Sequence, residues 1–306
     1  MTDATAPTLR PLGIGDIVDR TIGLYRASPG LFLVLAALPY LVLAIVSLIL
    51  NQVFVRASQL AANPFAIGPA QTVDLQRSFP PEVLADVAQF YAVLGIVGTV
   101  VLSVQAAALV DAMSKRYLGR PTTLNESLRA GLRASVRLIL ASIVAFVAFI
   151  LVVVIAIVVL AILGTAINNP LPVVLGVLAL FVLIFYVIAS WMTLPAVVTL
   201  EGKGPIAALG RAWRLANGAR WRILGLLVLM GIMQGILGVL FALVLLGTVA
   251  TEGAARTVLQ EVANLAVNAL WAPIQWGVFT LLYYDLRVRK EAFDLQLAAE
   301  AMPRDT

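Results

Sequence analysis

Residues 138–200 read LILASIVAFVAFILVVVIAIVVLAILGTAINNPLPVVLGVLALFVLIFYVIASWMTLPAVVTL, which is 63 consecutive residues without a charged side chain. A helix crosses the hydrocarbon core of a bilayer with about 20 apolar residues. The run is therefore too long for a single crossing. It also contains Asn168-Asn169-Pro170-Leu171-Pro172, a combination that is typical of a turn. The stretch predicts a hairpin of two transmembrane helices.

Four further uncharged runs are each long enough for one crossing, so the chain is predicted to be an all-α integral membrane protein with six transmembrane helices. These runs span residues 27–55, 87–110, 223–251 and 262–284. The composition agrees, because 61% of the residues are hydrophobic and 12% are charged. Soluble domains have about 45–50% apolar and about 25% charged residues. An ordinary water-soluble globule is therefore excluded.

The residue types that are missing exclude several kinds of chemistry. The chain has no cysteine and no histidine, which removes disulfides, thiolate nucleophiles, serine–histidine triads and imidazole metal sites. Paired carboxylates remain, such as Asp16 with Asp19, but these lie among arginines and form no ligand cluster for a metal-dependent hydrolase. We expect no enzymatic activity and no cofactor.

The basic residues predict the orientation, because cytoplasmic loops of membrane proteins are enriched in lysine and arginine. Eighteen of the 21 basic residues fall on one side of the predicted crossings, and only Arg56, Arg77 and Arg256 fall on the other. This places both termini in the cytoplasm of a bacterial inner-membrane protein. The basic side is expected to contact anionic lipid headgroups, at about 1 kcal/mol per residue. No basic segment is interleaved with aromatic residues on a soluble surface, so a nucleic-acid partner is not expected.

Three amphipathic segments divide the chain. Residues 1–30 form a cytoplasmic segment with one such helix, residues 31–284 form the membrane domain with two more near 122–137 and 205–217, and residues 285–306 form a cytoplasmic tail. Each segment precedes a pair of crossings, which predicts three repeats of a surface helix and a transmembrane hairpin. Helical spacing assigns Leu124, Leu128, Leu132 and Ser135 to the apolar face of the second segment. Ile206, Leu209 and Trp213 form that of the third.

Charged residues at the cytoplasmic ends of the crossings form a predicted charge ring. The second, fourth and sixth crossings each end in an acid, which opposes the helix dipole and should need a basic partner. We expect Asp111 to pair with Arg129, Glu201 with Arg211, and Asp285 with Arg20. The alternative is that these charges merely mark the ends of the spans.

The sixth crossing carries a polar stripe. Asn264, Asn268, Trp271 and Gln275 share one helical face, with Glu261 at its outer end. Amides that face lipid are unfavourable, so this face should point into the bundle, where Gln105 and Gln234 could meet it. The stripe is either a polar path or headgroup cleft, or a set of interhelical hydrogen bonds. A separate face of Gly231, Gly235 and Gly238 predicts close helix packing in the fifth crossing.

Three short motifs resemble the bacterial glycerophosphoryl diester phosphodiesterase membrane-domain family. They are LRPLGIGDIVDR at residues 9–20, LEGKGP at 200–205 and YYDLRVRKE at 283–291. Members of that family can carry a soluble phosphodiesterase barrel, which takes about 250 residues and which the stretches outside the crossings cannot supply. The resemblance therefore implies the membrane module and not the enzyme.

Three functions remain open at this point. The first is a non-enzymatic membrane module that binds lipid or a partner protein and is linked to envelope or lipid metabolism. The second is a carrier or channel for a small or lipidic substrate that uses the polar stripe. The weaker third alternative is a membrane-embedded enzyme related to the phosphodiesterases.

The predicted topology can be tested with reporter tags inserted after residues 70, 125 and 210. We expect these tags to report outside, inside and inside respectively, because the lysine and arginine asymmetry holds residues 111–137 and 201–222 in the cytoplasm. Any other pattern would contradict the orientation.

Overall fold

The computed structural model describes residues 10–53, 81–166, 171–247 and 253–301. Within these ranges the chain forms ten α-helices and no strand. They are α1 (Ile14–Ala27), α2 (Pro29–Val53), α3 (Pro81–Tyr117), α4 (Leu124–Ala166), α5 (Leu171–Trp191), α6 (Leu194–Glu201), α7 (Pro205–Ala216), α8 (Arg220–Gly247), α9 (Gly253–Glu291) and α10 (Phe293–Ala301).

Six helical segments are long and apolar enough to cross a membrane, which confirms the predicted number of crossings. α2, α3, α4, α8 and α9 supply one each, and α5 with α6 supplies the fourth in chain order. This fourth crossing bends at Met192-Thr193, and Pro195 lies in the first turn of α6, where its missing N–H costs no helical hydrogen bond. The predicted turn at 168–172 falls largely outside the described residues, between the end of α4 and the start of α5.

The crossings are arranged by polarity. α9 has the lowest mean hydropathy of the six, and more than half of its most apolar stretch is buried against other helices. α4 has the highest mean hydropathy, and none of the corresponding stretch is buried. A helix that is apolar on all sides can be surrounded by lipid, whereas the polar groups of a helix need hydrogen-bond partners in the protein. α9 accordingly packs against α2, α3 and α8, while α4 packs along α3 and α5.

Two of the three predicted surface helices are separate elements, and the second is not. α1 ends at Ser28 before Pro29, and α7 ends at Asn217-Gly218, where Gly218 has φ of +74°. The segment near 122–137 is instead the first part of α4, which runs without a break into the third crossing. No proline or turn pair interrupts it, so nothing ends the helix there. The three units therefore differ, and the threefold repeat remains a prediction.

The packed faces of these segments also differ from the predicted ones. Leu132 is 60% exposed and Ile206 is 78% exposed, although both were assigned to apolar faces. Ser135 and Leu209 are buried as predicted, and small residues that were not predicted join them in the contacts: Ala134 in α4, and Ala208, Ala212 and Ala216 in α7. Small side chains let two helix backbones approach closely, which large apolar side chains at the same positions would prevent.

The boundary between the sixth crossing and the C-terminal tail lies later in the sequence than predicted. α9 continues through Asp285 to Glu291, and α10 follows after Ala292. The predicted tail at 285–306 thus begins inside a helix, and Asp285 is 1% exposed.

α3 and α4 approach each other closely at Gly131 in α4. A Cβ atom at this position would lie 2.6 Å from the carbonyl oxygen of Val104 and 2.9 Å from the Cβ of Ala108, both in α3. The predicted glycine face of the fifth crossing is not packed in this way. A Cβ at Gly231, Gly235 or Gly238 would meet nothing within 4 Å.

The Gly131→Ala variant should therefore destabilise the protein by about 1–3 kcal/mol, because the added methyl group forces α3 and α4 apart. Gly235→Ala makes the same chemical change on an open face and should leave stability unchanged or raise it by up to about 1 kcal/mol, because alanine is the better helix former. Thermal unfolding in detergent micelles compares the two variants. Equal effects would contradict the close α3–α4 contact.

Candidate functional site

The charged end of the bundle, which carries Asp111, Glu201 and Asp285, is closed by polar contacts centred on Asp285. The carboxylate of Asp285 is completely buried and accepts hydrogen bonds from Arg222 at 2.5 Å and from Arg289 at 3.1 Å. It also accepts the backbone N–H of Leu12 at 2.7 Å. A buried carboxylate is tolerated only when it is paired and hydrogen-bonded in this way.

The same two arginines also hold the other side of the Leu12 backbone. Both Arg222 and Arg289 donate hydrogen bonds to the carbonyl oxygen of Leu12. The N–H and C=O groups of one residue before α1 are thus bound by side chains of α8 and α9. This joins the start of the chain to its last crossing.

A second group of contacts joins α6, α7 and α9. Arg211 donates to Glu201 at 3.0 Å and, through its two terminal nitrogens, to Glu291. Tyr283 donates its hydroxyl to Glu201 at 3.0 Å. The hydrogen bonds that Arg211 donates to Glu291 raise the pKa of its guanidinium, partial burial opposes this, and the hydrogen bonds that it donates to Glu201 raise the pKa further. Arg211 therefore stays charged and bridges the two carboxylates.

Only one pair of the predicted charge ring is present in the structure as expected. Glu201 pairs with Arg211, but Asp111 binds Lys115 at 2.8 Å and Ser127 at 3.1 Å rather than Arg129, which is exposed. Asp285 binds Arg222 and Arg289 instead of Arg20. Arg20 instead lies over the ring of Tyr117, 5.5 Å from its centroid. Charged residues at helix ends on the same membrane surface need not pair with each other. The packing angles of the helices determine which of these residues come into contact.

At the opposite end of the bundle the helices separate and leave a cleft of about 490 Å³. Three crossings line it: α2, α3 and α9. Its residues are Tyr40, Leu43, Ala44, Ser47, Tyr91, Leu94, Gly95, Gly98, Thr99, Leu102, Glu261, Asn264 and Leu265. The volume is within the usual range of ligand-binding pockets, about 300–1,000 Å³. Tyr91, Gly95 and Thr99 are exposed, so the cleft is open along α3.

Ser47, Glu261 and Asn264 lie at the end of this cleft farthest from Asp285, whereas Tyr40 and Thr99 line its deeper part. The hydroxyl of Ser47 in α2 donates to Oε1 of Glu261 in α9 at 2.7 Å. Asn268 donates its amide to the backbone and side-chain oxygens of Asn264. Leu43, Ala44, Leu94 and Leu102 line the cleft elsewhere and make it largely apolar.

The distance between Glu261 and Asp285 along α9 exceeds the thickness of the hydrocarbon core. The two residues are 24 positions apart in one helix, which is about 36 Å at 1.5 Å per residue. The hydrocarbon core is about 30 Å thick. A crossing with Asp285 at one boundary would therefore hold Glu261 at headgroup depth on the other side.

The predicted polar stripe is only partly brought together. Asn264 lines the cleft, Asn268 and Gln275 are half-buried, and Trp271 is buried. Gln105 is also buried, but it donates to the carbonyl oxygen of Ala36 at 2.8 Å. Gln234 is exposed on α8, so it does not face the stripe as expected. These residues do not form one continuous row.

The sequence analysis did not include Tyr40, Ser47 or Tyr91 among the candidate residues. A helical signal for them exists, because Tyr40, Ala44 and Ser47 follow the i, i+4, i+7 spacing of one face. Tyr91, Gly95 and Gly98 follow the same spacing in α3. Neither helix face alone is a strong signal for a site. Only the packing of α2 against α3 joins the two faces into one surface.

Comparison with known families gives one match, to a family described as a domain of unknown function, DUF7847, over residues 12–286. The chain belongs to this family. No curated protein and no solved structure matches it. The family spans all six crossings, from Leu12 to the residue after Asp285, and thus includes both the charged end and the cleft.

Neutralising Asp285 should be costly, because Arg222 and Arg289 would lose the buried carboxylate that compensates them. We expect Asp285→Asn to lower the free energy of unfolding by about 3 kcal/mol. Asp111→Asn is the matched control, since its pair with Lys115 lies within one helix and nearer the surface, and it should cost less than about 1 kcal/mol. Thermal unfolding measures both. An Asp285→Asn protein as stable as the Asp111→Asn protein would refute the central role of Asp285.

Proposed function

We propose that this protein is a non-enzymatic membrane module that binds an individual lipid molecule in the cleft between α2, α3 and α9. The observation that carries the proposal is the position of the charged group in the cleft. Ser47, Glu261 and Asn264 lie together toward one end, whereas the deeper part is lined by Leu43, Leu102, Tyr40 and Thr99, whose hydroxyl is bonded to the backbone of its own helix. A lipid has the same arrangement, with a polar headgroup above apolar chains.

Access from the bilayer supports a lipid rather than a water-soluble ligand. The exposed side of the cleft is the α3 surface at Tyr91, Gly95 and Thr99, which is part of a membrane crossing. A molecule already dissolved in the bilayer can enter sideways along this surface. Tyrosine at this depth is typical of the membrane interface, where its ring is in the hydrocarbon and its hydroxyl is hydrated.

The charged end is proposed to face the cytoplasm of a bacterial inner membrane and to rest on anionic headgroups. Arg129 and Arg133 are exposed in α4 beside the exposed apolar side chains of Leu132 and Val136. Such a surface can contact phosphates through the arginines while the apolar groups enter the interface. A protein partner at this end remains a further prediction from the sequence.

Binding is favoured over transport by the placement of the amides. A carrier that used the polar stripe needs it to continue across the bundle, but Gln234 is exposed and the charged end is closed by the contacts of Asp285. Within the described residues these amides thus form no continuous polar row from the cleft to the charged end, which supports binding rather than transport. The resemblance to the phosphodiesterase membrane domains is compatible with a lipid ligand and remains a prediction.

Lipid binding can be tested by filling the cleft. A Cβ at Gly95 would meet nothing within 4 Å and Gly95 lines the open side of the cleft, so Gly95→Phe should fold normally and obstruct entry to the cleft. We expect the wild-type protein to retain bound lipid through purification in a mild detergent, and Gly95→Phe to lose most of it. Native mass spectrometry counts the retained lipids.

Gly235→Phe is the matched control, because it adds the same ring to an equally open glycine of α8, away from the cleft. This variant should retain lipid as the wild type does. If Gly95→Phe retained as much lipid as Gly235→Phe, the cleft would not be the binding site.

A further inference from the structure

We propose that the cleft selects lipids whose headgroup carries a primary ammonium group, and that Glu261 is the group that recognises it. This inference rests on the proposed lipid-binding function and adds the chemical class of the ligand. It is carried by the geometry of Glu261 and by the groups that surround it.

Glu261 is held in position with an oxygen to spare. Ser47 in α2 donates to its Oε1, which fixes the carboxylate across the α2–α9 contact. Among the residues that the structure describes, no lysine or arginine forms an ion pair with it. Within the described part of the chain its Oε2 thus has no recorded partner and can accept a hydrogen bond from a ligand. A hydrogen bond between an ammonium group and a carboxylate is about twice as strong as one between neutral groups.

The carboxylate lies at the depth that a lipid ammonium group occupies. The span of about 36 Å between Asp285 and Glu261 exceeds the hydrocarbon thickness of about 30 Å by a few ångströms. Headgroup nitrogens lie outside the hydrocarbon, next to the phosphates. An ammonium group can thus reach Glu261 while the acyl chains of the same lipid lie along Leu94 and Leu102 in the cleft.

The neighbouring polar groups suit the phosphate of such a lipid. The amide of Asn264 and the hydroxyl of Tyr91 line the same cleft, and both can donate hydrogen bonds to a phosphate oxygen. A headgroup with a phosphate and an ammonium group therefore finds donors for its anionic part and an acceptor for its cationic part. An anionic headgroup without a cation would instead be repelled by the carboxylate.

Primary and quaternary ammonium groups differ in one property that matters here. A primary ammonium group has three N–H donors, whereas a choline group has none and cannot donate to Glu261. We therefore expect phosphatidylethanolamine to bind more tightly than phosphatidylcholine, and phosphatidylglycerol to bind most weakly.

The test uses the full chain, delipidated in detergent and titrated with these three phospholipids, all with identical acyl chains. Native mass spectrometry measures the affinity of each. The wild-type protein should bind phosphatidylethanolamine about tenfold more tightly than phosphatidylglycerol. In Glu261→Gln this ratio should fall to about twofold or less, because the amide keeps the shape of the side chain but loses its charge.

Asp86→Asn provides the matched control. Asp86 is an acid in α3 at the same end of the bundle, but it does not line the cleft, so its neutralisation should leave the headgroup ratio unchanged. A loss of the ratio in Asp86→Asn as large as in Glu261→Gln would show that only the net charge of this end matters, and would overturn the proposal.

The two proposals fail in different ways. If the wild type binds all three lipids equally and Gly95→Phe abolishes this binding, the cleft binds lipid and the assignment of Glu261 is wrong. Equal affinity for phosphatidylcholine and phosphatidylethanolamine would likewise overturn the primary-ammonium assignment. If Gly95→Phe leaves all affinities unchanged, the proposed function fails as well.

Discussion

The buried carboxylate of Asp285 is the contact on which the arrangement of the helices depends. It lies near the end of α9, the most buried crossing, and it holds Arg222 of α8, Arg289 of α9 and the backbone of Leu12. An isolated charge would not be stable at this depth, so all of these groups must be present together. The contact therefore links the beginning of the chain, the fifth crossing and the sixth crossing.

The two ends of the bundle differ in packing because of this contact and its neighbours. At the charged end, Arg211 bridges Glu201 and Glu291, and Lys290 binds the last carbonyl groups of α7. Ion pairs and small side chains hold the helices close together there. Toward the opposite end, α4 and α8 turn large apolar side chains such as Ile155 and Leu243 outward, and α2, α3 and α9 enclose the cleft. In water such an apolar surface would collapse, whereas in a bilayer the lipid chains solvate it.

The space left between the helices also differs between the two ends. Around Asp285, the carboxylate, the two arginines and the backbone of Leu12 satisfy one another. At the other end Glu261 has only the Ser47 hydroxyl as a partner among the described residues, beside an open volume lined largely by leucines. If the cleft binds a lipid, as proposed, the paired charges that set the helix directions would also set its width and so preorganise it.

Hydrophobic run lengths alone were sufficient to predict the six crossings. A bilayer demands long apolar helices with internally satisfied backbone groups, and this requirement is local in sequence. The pair of Glu201 with Arg211 was also predictable, because the two residues are ten positions apart, on either side of the short turn between α6 and α7. The other partners of the charge ring were not, since Asp285 meets Leu12 and Arg222 across 273 and 63 positions of sequence.

The sequence by itself determined that the protein is helical and membrane-spanning, how many crossings it has, and which ends of the crossings carry the charged residues. Only the tertiary structure decided that the second surface segment continues into α4, that Gly131 rather than Gly235 is the tight contact, and that Glu261 and Ser47 meet at a cleft. The physical reason is that the free energy of transferring a helix into lipid is a sum of contributions from single residues. A site depends instead on which faces of distant helices meet. Helix rotation and crossing angle set those faces, and they follow from the packing of the whole bundle.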